Sequence, residues 1–378
     1  MTPEVQKTDQ TRLSRNQVSE ILKKGILAPS ADNLQPWKFR VLENGVDLLL
    51  NPELLASYCD EGYAAPYLSA GAVLENIRVA ASAFGAGIRA DYFPETDHPL
   101  KPIHIDWVPG GAKQHPHLSS LEKRCTNRKF YKASTPVPDS VFRALENQSD
   151  PNSGYRLLWL KQVNAHYKDL ASLIGEADQL RFEIFRLHQE LMKVMRFSDK
   201  EAKETRDGLP LNSLDAGPSA GLMFGLIRSW NRLQFLNTLG MSFSFNLYAK
   251  LQMLSSQACG LIVAPGKAPE HYVRGGEIMQ RIWHEEAAQG LALQPMEALP
   301  IFLINSELTS GRDLSGEQRK KLENMKSRFT YLFGLKPWQG LILLFRIGYA
   351  SPPGGRSLRR PLETFMLPEE SLNLGNRD

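Results

Sequence analysis

Apolar positions come in two rhythms along this chain. Val18, Ile21, Leu22 and Ile26 share one face at helical spacing, and Ser14 with Gln17 fits a capping box, so the first element is a helix. Pro29 ends it, and Ser30–Gln35 follows as a polar loop. Trp37–Val41 and Val46–Leu50, separated by Asn44-Gly45, read as a hairpin. Residues 67–84 form an Ala-rich helix, and 88–117 is an extended, Pro-punctuated stretch. A second start falls near 119: Pro138-Asp139 begins a helix with Val141, Phe142 and Leu145 apolar, a polar loop covers 147–154, and Tyr155–Leu160 is strand-like. Residues 176–205 read as a long charged helix, 207–221 as a Gly/Pro loop, and 222–257 as aromatic, Met-rich helix. A strand at 341–348 precedes a Gly/Pro/Arg segment at 351–361.

The segment Tyr67–Gly85 matches Tyr272–Gly290 at a constant offset of 205 residues. Gly71 falls on Gly276, Glu75 on Gln280, Ile77 on Ile282 and Ala83 on Ala288. The order helix, polar loop, Trp-bearing strand at 18–37 recurs at 139–159, so duplication is the expectation. Two pseudo-symmetric halves follow, 1–118 and 119–378, the second with a helical insertion at about 176–255. Gly71 and Gly276 would permit close helix approach at a pseudo-two-fold axis, like a homodimer fused into one chain.

Composition narrows the classes. With 42% hydrophobic and 23% charged residues the chain is globular, and a net charge of +4 from 45 basic and 41 acidic residues argues against nucleic acid as partner. Cys59, Cys125 and Cys259 lie far apart and suit a reducing compartment. The N-terminus has no apolar signal core, and the apolar runs are too short to span a bilayer. Cytoplasm, no membrane, and a monomer or loose homodimer are the expectations.

Four segments are candidates for chemistry. Ala28–Trp37 is a helix end opening into a loop dense in donors and acceptors. In Arg124-Cys125-Thr126-Asn127-Arg128, extended alternation sets Arg124, Thr126 and Arg128 on one face as an anion clamp. Arg356-Ser357-Leu358-Arg359-Arg360-Pro361 offers guanidinium groups suited to a phosphate. Gly290–Met296, containing Gln294, is a helix end entering a strand whose backbone suits a flat ring.

Together and in this order these segments resemble the nitroreductase superfamily of FMN proteins. Its most specific phrase, APSxxNxQPW, stands intact at 28–37; the Arg-x-Ser/Thr-x-Arg/Lys contact matches 124–128 and the RRPLE ending matches Arg359–Glu363. The resemblance covers nearly the whole chain except roughly 176–255. It implies an α+β nitroreductase-like fold, in two tandem halves that mimic the usual homodimer, holding FMN rather than FAD, with NAD(P)H as a transient reductant. Carried over by residue, Ser30, Asn33 and Gln35 contact the flavin and ribityl chain. Arg124 and Arg360, with Arg359, bind the phosphate, while Thr126 and Arg128 face the pyrimidine edge and Gln294 lies near the ring. No catalytic side chain is implied, because the flavin carries the chemistry. The family's acidic-Gly pair is absent, since Glu297 is followed by Ala298.

The resemblance leaves two functions open: an FMN-dependent oxidoreductase passing hydride to a small acceptor, or an FMN-holding protein with a lid and little turnover. Residues 209–257 fit either a pocket wall or a lid. One FMN per chain is expected. The second-half loop Asp150–Gly154 lacks the full Ser/Asn/Gln set, and the first half offers no clamp near residue 3. Gly217–Gly221 matches G-x-S-x-G with His271 and His284 downstream, but no strand precedes it as a nucleophile elbow requires. His115 and His117 lack acidic or cysteine partners at ligand spacing, so no metal is expected; without GxGxxG, neither is a Rossmann domain.

Overall fold

The computed structural model describes residues 12–368 except 56, 58, 59, 150 and 310–313. The N-terminal residues 1–11, Cys59 and Asp150, which entered the sequence reading, lie outside the described residues.

The chain begins with α1 (Arg15–Gly25), whose capping box forms as the spacing requires: Gln17 N donates to Ser14 Oγ and Ser14 N to Gln17 Oε1. Val18, Ile21 and Leu22 are its buried face. Then come β1 (Trp37–Val41), β2 (Gly45–Leu50), α2 (Ala64–Ala81), β3 (Gly87–Tyr92) and β4 (Ile103–Val108). Thus the stretch at 88–117 holds two paired strands. These four strands form an antiparallel sheet in the order β1-β2-β4-β3.

The remainder carries a second sheet and more helices. After α3 (Asp139–Glu146) and β5 (Arg156–Lys161) come α4 (Tyr167–Glu183), α5 (Phe185–Val194), β6 (Met195–Arg196), α6 (Asp199–Thr205), β7 (Leu209–Pro210), α7 (Ala220–Ile227), α8 (Trp230–Thr238) and α9 (Met241–Leu254). The chain returns through β8 (Ala258–Ala264), α10 (Pro269–Ala288), β9 (Ala292–Pro295), α11 (Ala298–Thr309), α12 (Gly316–Phe333) and β10 (Gly340–Gly348). The second sheet runs β5-β8-β10-β9, also antiparallel. In both sheets the first two strands in sequence are neighbours, and the third lies at the edge beside the fourth.

Two sequence expectations are corrected. The charged stretch 176–205 is not one helix: Ile184 is extended (φ −110°, ψ 119°) and parts α4 from α5. The helical stretch itself begins at Tyr167, ahead of 176, and the Tyr167 hydroxyl donates to Met253 O at 3.1 Å in the core. Helices α11 and α12 separate β9 from β10.

The largest core lies between the sheets and is filled by α1, α2 and α10. β8 is buried on both faces: Ala258, Ile262 and Ala264 join that core, while Cys259, Leu261 and Val263 face a second core built with α4, α9, α11 and α12. Each large side chain so buried contributes about 1.5–3 kcal/mol. A third cluster binds α5, α7, α8 and α9 together, and Leu34 of the polar loop packs against it.

Candidate functional site

The four segments singled out from the sequence meet beside the end of α1. Past Gly25 the carbonyls of Ile26, Leu27 and Ala28 have no helical donors, and two arginines from distant sequence supply them. Arg359 donates to Ile26 O at 3.0 Å, Ala28 O at 2.9 Å and Leu27 O at 3.3 Å, and Arg124 donates to Leu27 O at 3.0 Å. Cations at a helix C-terminus also oppose its dipole favourably.

The loop that follows holds an uncommon backbone. Asp32, Asn33 and Gln35 all have positive φ, at 47°, 56° and 56°. Such conformations cost non-glycine residues about 1 kcal/mol or more each and persist where surroundings enforce them. Here the tail holds Asn33 and Gln35. Asn33 Nδ2 donates to Leu358 O at 3.0 Å, Arg359 donates to Asn33 Oδ1 at 2.7 Å, and Arg360 N donates to Gln35 Oε1 at 2.9 Å. Gln35 Nε2 donates to Arg206 O at 2.9 Å, and Gln35 N closes the loop on Ser30 Oγ at 2.9 Å.

The clamp splits. Arg124 lies over the Trp283 ring, 4.6 Å from its centre, whereas Arg128 donates to Ser213 O at 3.0 Å. Thr126 bridges to Leu293 at the end of β9, and Asn127 N donates to Leu293 O at 2.9 Å, which ties the segment to the second sheet. Gln294 Oε1 is taken by Arg346, which donates from Nε at 2.8 Å and Nη2 at 2.6 Å. Arg360 is ion-paired to Asp207, which also pairs with Arg196 at 2.5 Å.

Charge at this junction is predominantly positive. Burial lowers Arg124 to about 10 and, aided by repulsion from Arg124, Arg359 to about 9. Arg356 adds to the repulsion on Arg124 while donating to the carbonyls of Glu122 (2.8 Å) and Lys123 (2.9 Å). The carboxyl facing Arg124 is Glu286, and burial pushes it well above its ordinary value, toward the neutral form. Arg124 Nε is buried with no partner among the described residues. Burial also lowers Arg128, against the opposing pull of Asp32.

Several residues here were not singled out from sequence. Arg346 is fully buried in β10, donating further to Lys129 O and Gln252 O at 2.7 and 2.8 Å and lying 3.8 Å from the centre of the Tyr131 ring. A charge inside the apolar run Leu341–Gly348 was the available signal, since a buried cation needs a dedicated set of acceptors. Arg206, Asp207, Ser213 and Asp215 come from the stretch between α6 and α7 and carried no local mark. Glu297 accepts from Leu344 N at 2.8 Å, and burial raises its carboxyl to about 8.

The other motifs go elsewhere. Ser219 sits at the start of α7 after a 3-10 turn (Leu211–Leu214), not after a sheet strand. His271 accepts from Ala268 N at 3.2 Å, and His284 contacts Asn76 Oδ1 at 2.9 Å in the seam between α10 and α2. His117 meets Glu285 at 2.9 Å, and among the described residues no cluster of three His, Cys, Asp or Glu is arranged to hold a metal ion. No helix among them is long and apolar enough to cross a membrane.

Comparison with known proteins gives the following. No family model matches the chain. It is 27% identical over 344 residues to "Uncharacterized protein MT1398" of Mycobacterium tuberculosis, covering 89% of this chain and 46% of that protein. It is 27% identical over 202 residues to "Putative NAD(P)H nitroreductase acg" of the same species, covering 52% of this chain and 58% of that protein. The chain thus spans about half the length of the curated relatives it matches. Similar solved structures include the FMN and NADPH-dependent nitroreductase NfnB from sphigopyxis sp. strain HMH, at 14% identity and TM-score 0.35, covering 66% of this chain and 97% of that one. Another is the FMN-dependent nitroreductase NfnB from Mycobacterium smegmatis in complex with NADPH, at 15% identity and TM-score 0.35, covering 65% and 94%. The structural neighbours are nitroreductase-family proteins, and the chain has a mixed α+β fold.

Proposed function

We propose that this chain is an FMN-binding, NAD(P)H-dependent oxidoreductase of nitroreductase type, with the cofactor held where the loop 28–36, the segment 124–128, the end of β9 and the tail 351–361 meet. The observation that carries the reading is the unanswered positive charge. Arg356 and Arg359 both lie within electrostatic reach of Arg124, the carboxyl beside Arg124 is held toward neutrality by burial, and Arg124 Nε has no partner among the described residues. A phosphate dianion supplies the missing countercharge and acceptor.

Arg124 is the phosphate ligand in this reading. Arg359 acts mainly through its charge, because Nε, Nη1 and Nη2 all donate to protein oxygens. Arg360 must leave Asp207 to join them. Ser30, Asn33 and Gln35 build the wall for the ring and ribityl chain, and Thr126, Arg128 and Gln294 lie toward the ring itself. Bound FMN supplies hydride exchange between NAD(P)H and a small acceptor; the chain supplies placement and positive charge. The matching strand orders of the two sheets support reading 1–118 and 119–378 as halves, the first giving the loop and the second the clamp and tail.

One feature favours the second reading, an FMN-holding protein. Residues 206–215 of the helical addition fasten across the junction: Arg206 O to Gln35, Asp207 to Arg360, Ser213 O to Arg128 and Asp215 Oδ1 to Gly354 N at 3.0 Å. Such a strap restricts access to anything beneath it. The visible spectrum of the purified protein, followed anaerobically with NADPH and with NADH, tests both. Bound flavin that bleaches supports the oxidoreductase, and bound flavin that does not bleach supports the holder. A protein that neither carries nor takes up FMN contradicts both.

A further inference from the structure

The outward faces of α7, α8 and α9 carry large apolar side chains that nothing among the described residues covers. Leu222, Phe235, Leu239 and Phe243 are 61–72% exposed, and Leu226, Leu247 and Leu251 are 44–46% exposed. Their spacing is regular: Leu222 and Leu226 on α7, Phe235 on α8 with Leu239 at its C-cap, and Phe243, Leu247 and Leu251 on α9 each recur every fourth residue. The opposite sides of the same helices, through Phe224, Ile227, Leu233 and Phe245, fill the third core. These helices are therefore apolar on both sides, although one side faces outward. A core explains only the inner one.

Formal charge on the segment that builds this face has one sign. From Ala216 to Pro269 the sequence contains no Asp or Glu, in a chain with 41 of them. Arg228 and Arg232 stand exposed between the apolar rows, and neither has an ion-pair partner among the described residues. The other outward residues of these helices, such as Asn231, Gln234, Thr238 and Ser244, are neutral.

We infer that this face docks on an anionic lipid bilayer surface. The Phe and Leu side chains would enter the boundary between headgroups and acyl chains, and Arg228 and Arg232 would meet lipid phosphates. A second copy of the chain is the less suitable occupant, because a two-fold pairing sets these cations against a face without a carboxylate. The attachment is peripheral, consistent with the absence of a spanning helix among the described residues. It departs from the sequence expectation, which included no membrane partner, and it is independent of what the flavin site does.

Flotation of the full chain with phosphatidylcholine vesicles, with and without phosphatidylglycerol, tests the inference. The chain should float with the anionic vesicles and bind pure phosphatidylcholine at least about tenfold more weakly. F243S/L247S and R228E/R232E should each weaken anionic binding about tenfold or more, with unchanged far-UV circular dichroism and thermal midpoint. A chain that stays in solution with anionic vesicles at low salt overturns the inference. So do correctly folded variants that float as well as the parent. If light scattering finds a dimer that F243S/L247S dissociates while no variant or parent floats, the face belongs to a second copy and the lipid assignment is wrong.

Discussion

Gly71 and Gly276 lie at the contact of α2 and α10, and neither position has room for a side chain. A Cβ on Gly71 would stand 1.8 Å from Val273 O and 2.9 Å from Glu277 N, and one on Gly276 would stand 2.1 Å from Leu68 O. The obstructing atoms are backbone, so the helices must part to admit a methyl group. Gly71→Ala and Gly276→Ala should each destabilise the chain by about 1–3 kcal/mol or more, against the small gain in helix propensity that alanine normally brings. Urea unfolding midpoints measure this. A loss under about 0.5 kcal/mol in both variants would mean that the contact is looser than described.

Glu75, fully buried on α2, predicts a pH dependence. Burial is the largest influence on its carboxyl and raises it from 4.5 to about 7, against the opposing pull of Arg281 and Arg78, and Oε1 has no partner among the described residues. A carboxyl whose folded value exceeds its unfolded value binds its proton more tightly when folded. Stability is therefore lost as pH rises from 4.5 to about 7 and stays constant above. Glu75→Gln, which places in α2 the residue that Gln280 provides at the matching position of α10, removes this loss. Thermal unfolding across that pH range should show the parent falling relative to the variant, with the gap widening toward neutral pH. A constant gap would locate the ionisation elsewhere.

What was readable in the sequence was local or repeated. The first helix, its cap and the loop after it follow from spacing within a few residues, and the α2/α10 correspondence follows from Gly71, Glu75 and Ile77 recurring at a fixed offset. β8 was missed because a strand buried on both faces shows no alternation. The α4–α5 break was missed because nothing about Ile184 alone marks a helix end. Arg346 was legible only as an anomaly, since its acceptors on Gln294, Lys129 and Gln252 come from three separate segments. The strap at 206–215 was least legible: Arg206 and Gln35 are 171 residues apart, and such a contact has no sequence period.

In the proposed site Arg128 would tune the flavin. It is buried, held on Ser213 O, and expected at the pyrimidine edge, where a cation favours the reduced, anionic ring. Arg128→Ala should lower the flavin midpoint potential by about 30 mV, equivalent to roughly 1.4 kcal/mol for a two-electron couple. Anaerobic titration against a reference dye measures it. An unchanged or higher potential would place Arg128 away from the ring.

Everything proposed for the flavin depends on a single FMN site at the junction of the 28–36 loop, the 124–128 segment and the arginine tail. The decisive experiment is to saturate the protein with FMN, remove the excess, and measure flavin per chain alongside the mass of the released cofactor. One FMN per chain is expected, with no adenine-containing flavin, and a lower ratio for Arg124→Ala. A ratio near two, an FAD mass, or a chain that retains no flavin would contradict the single site.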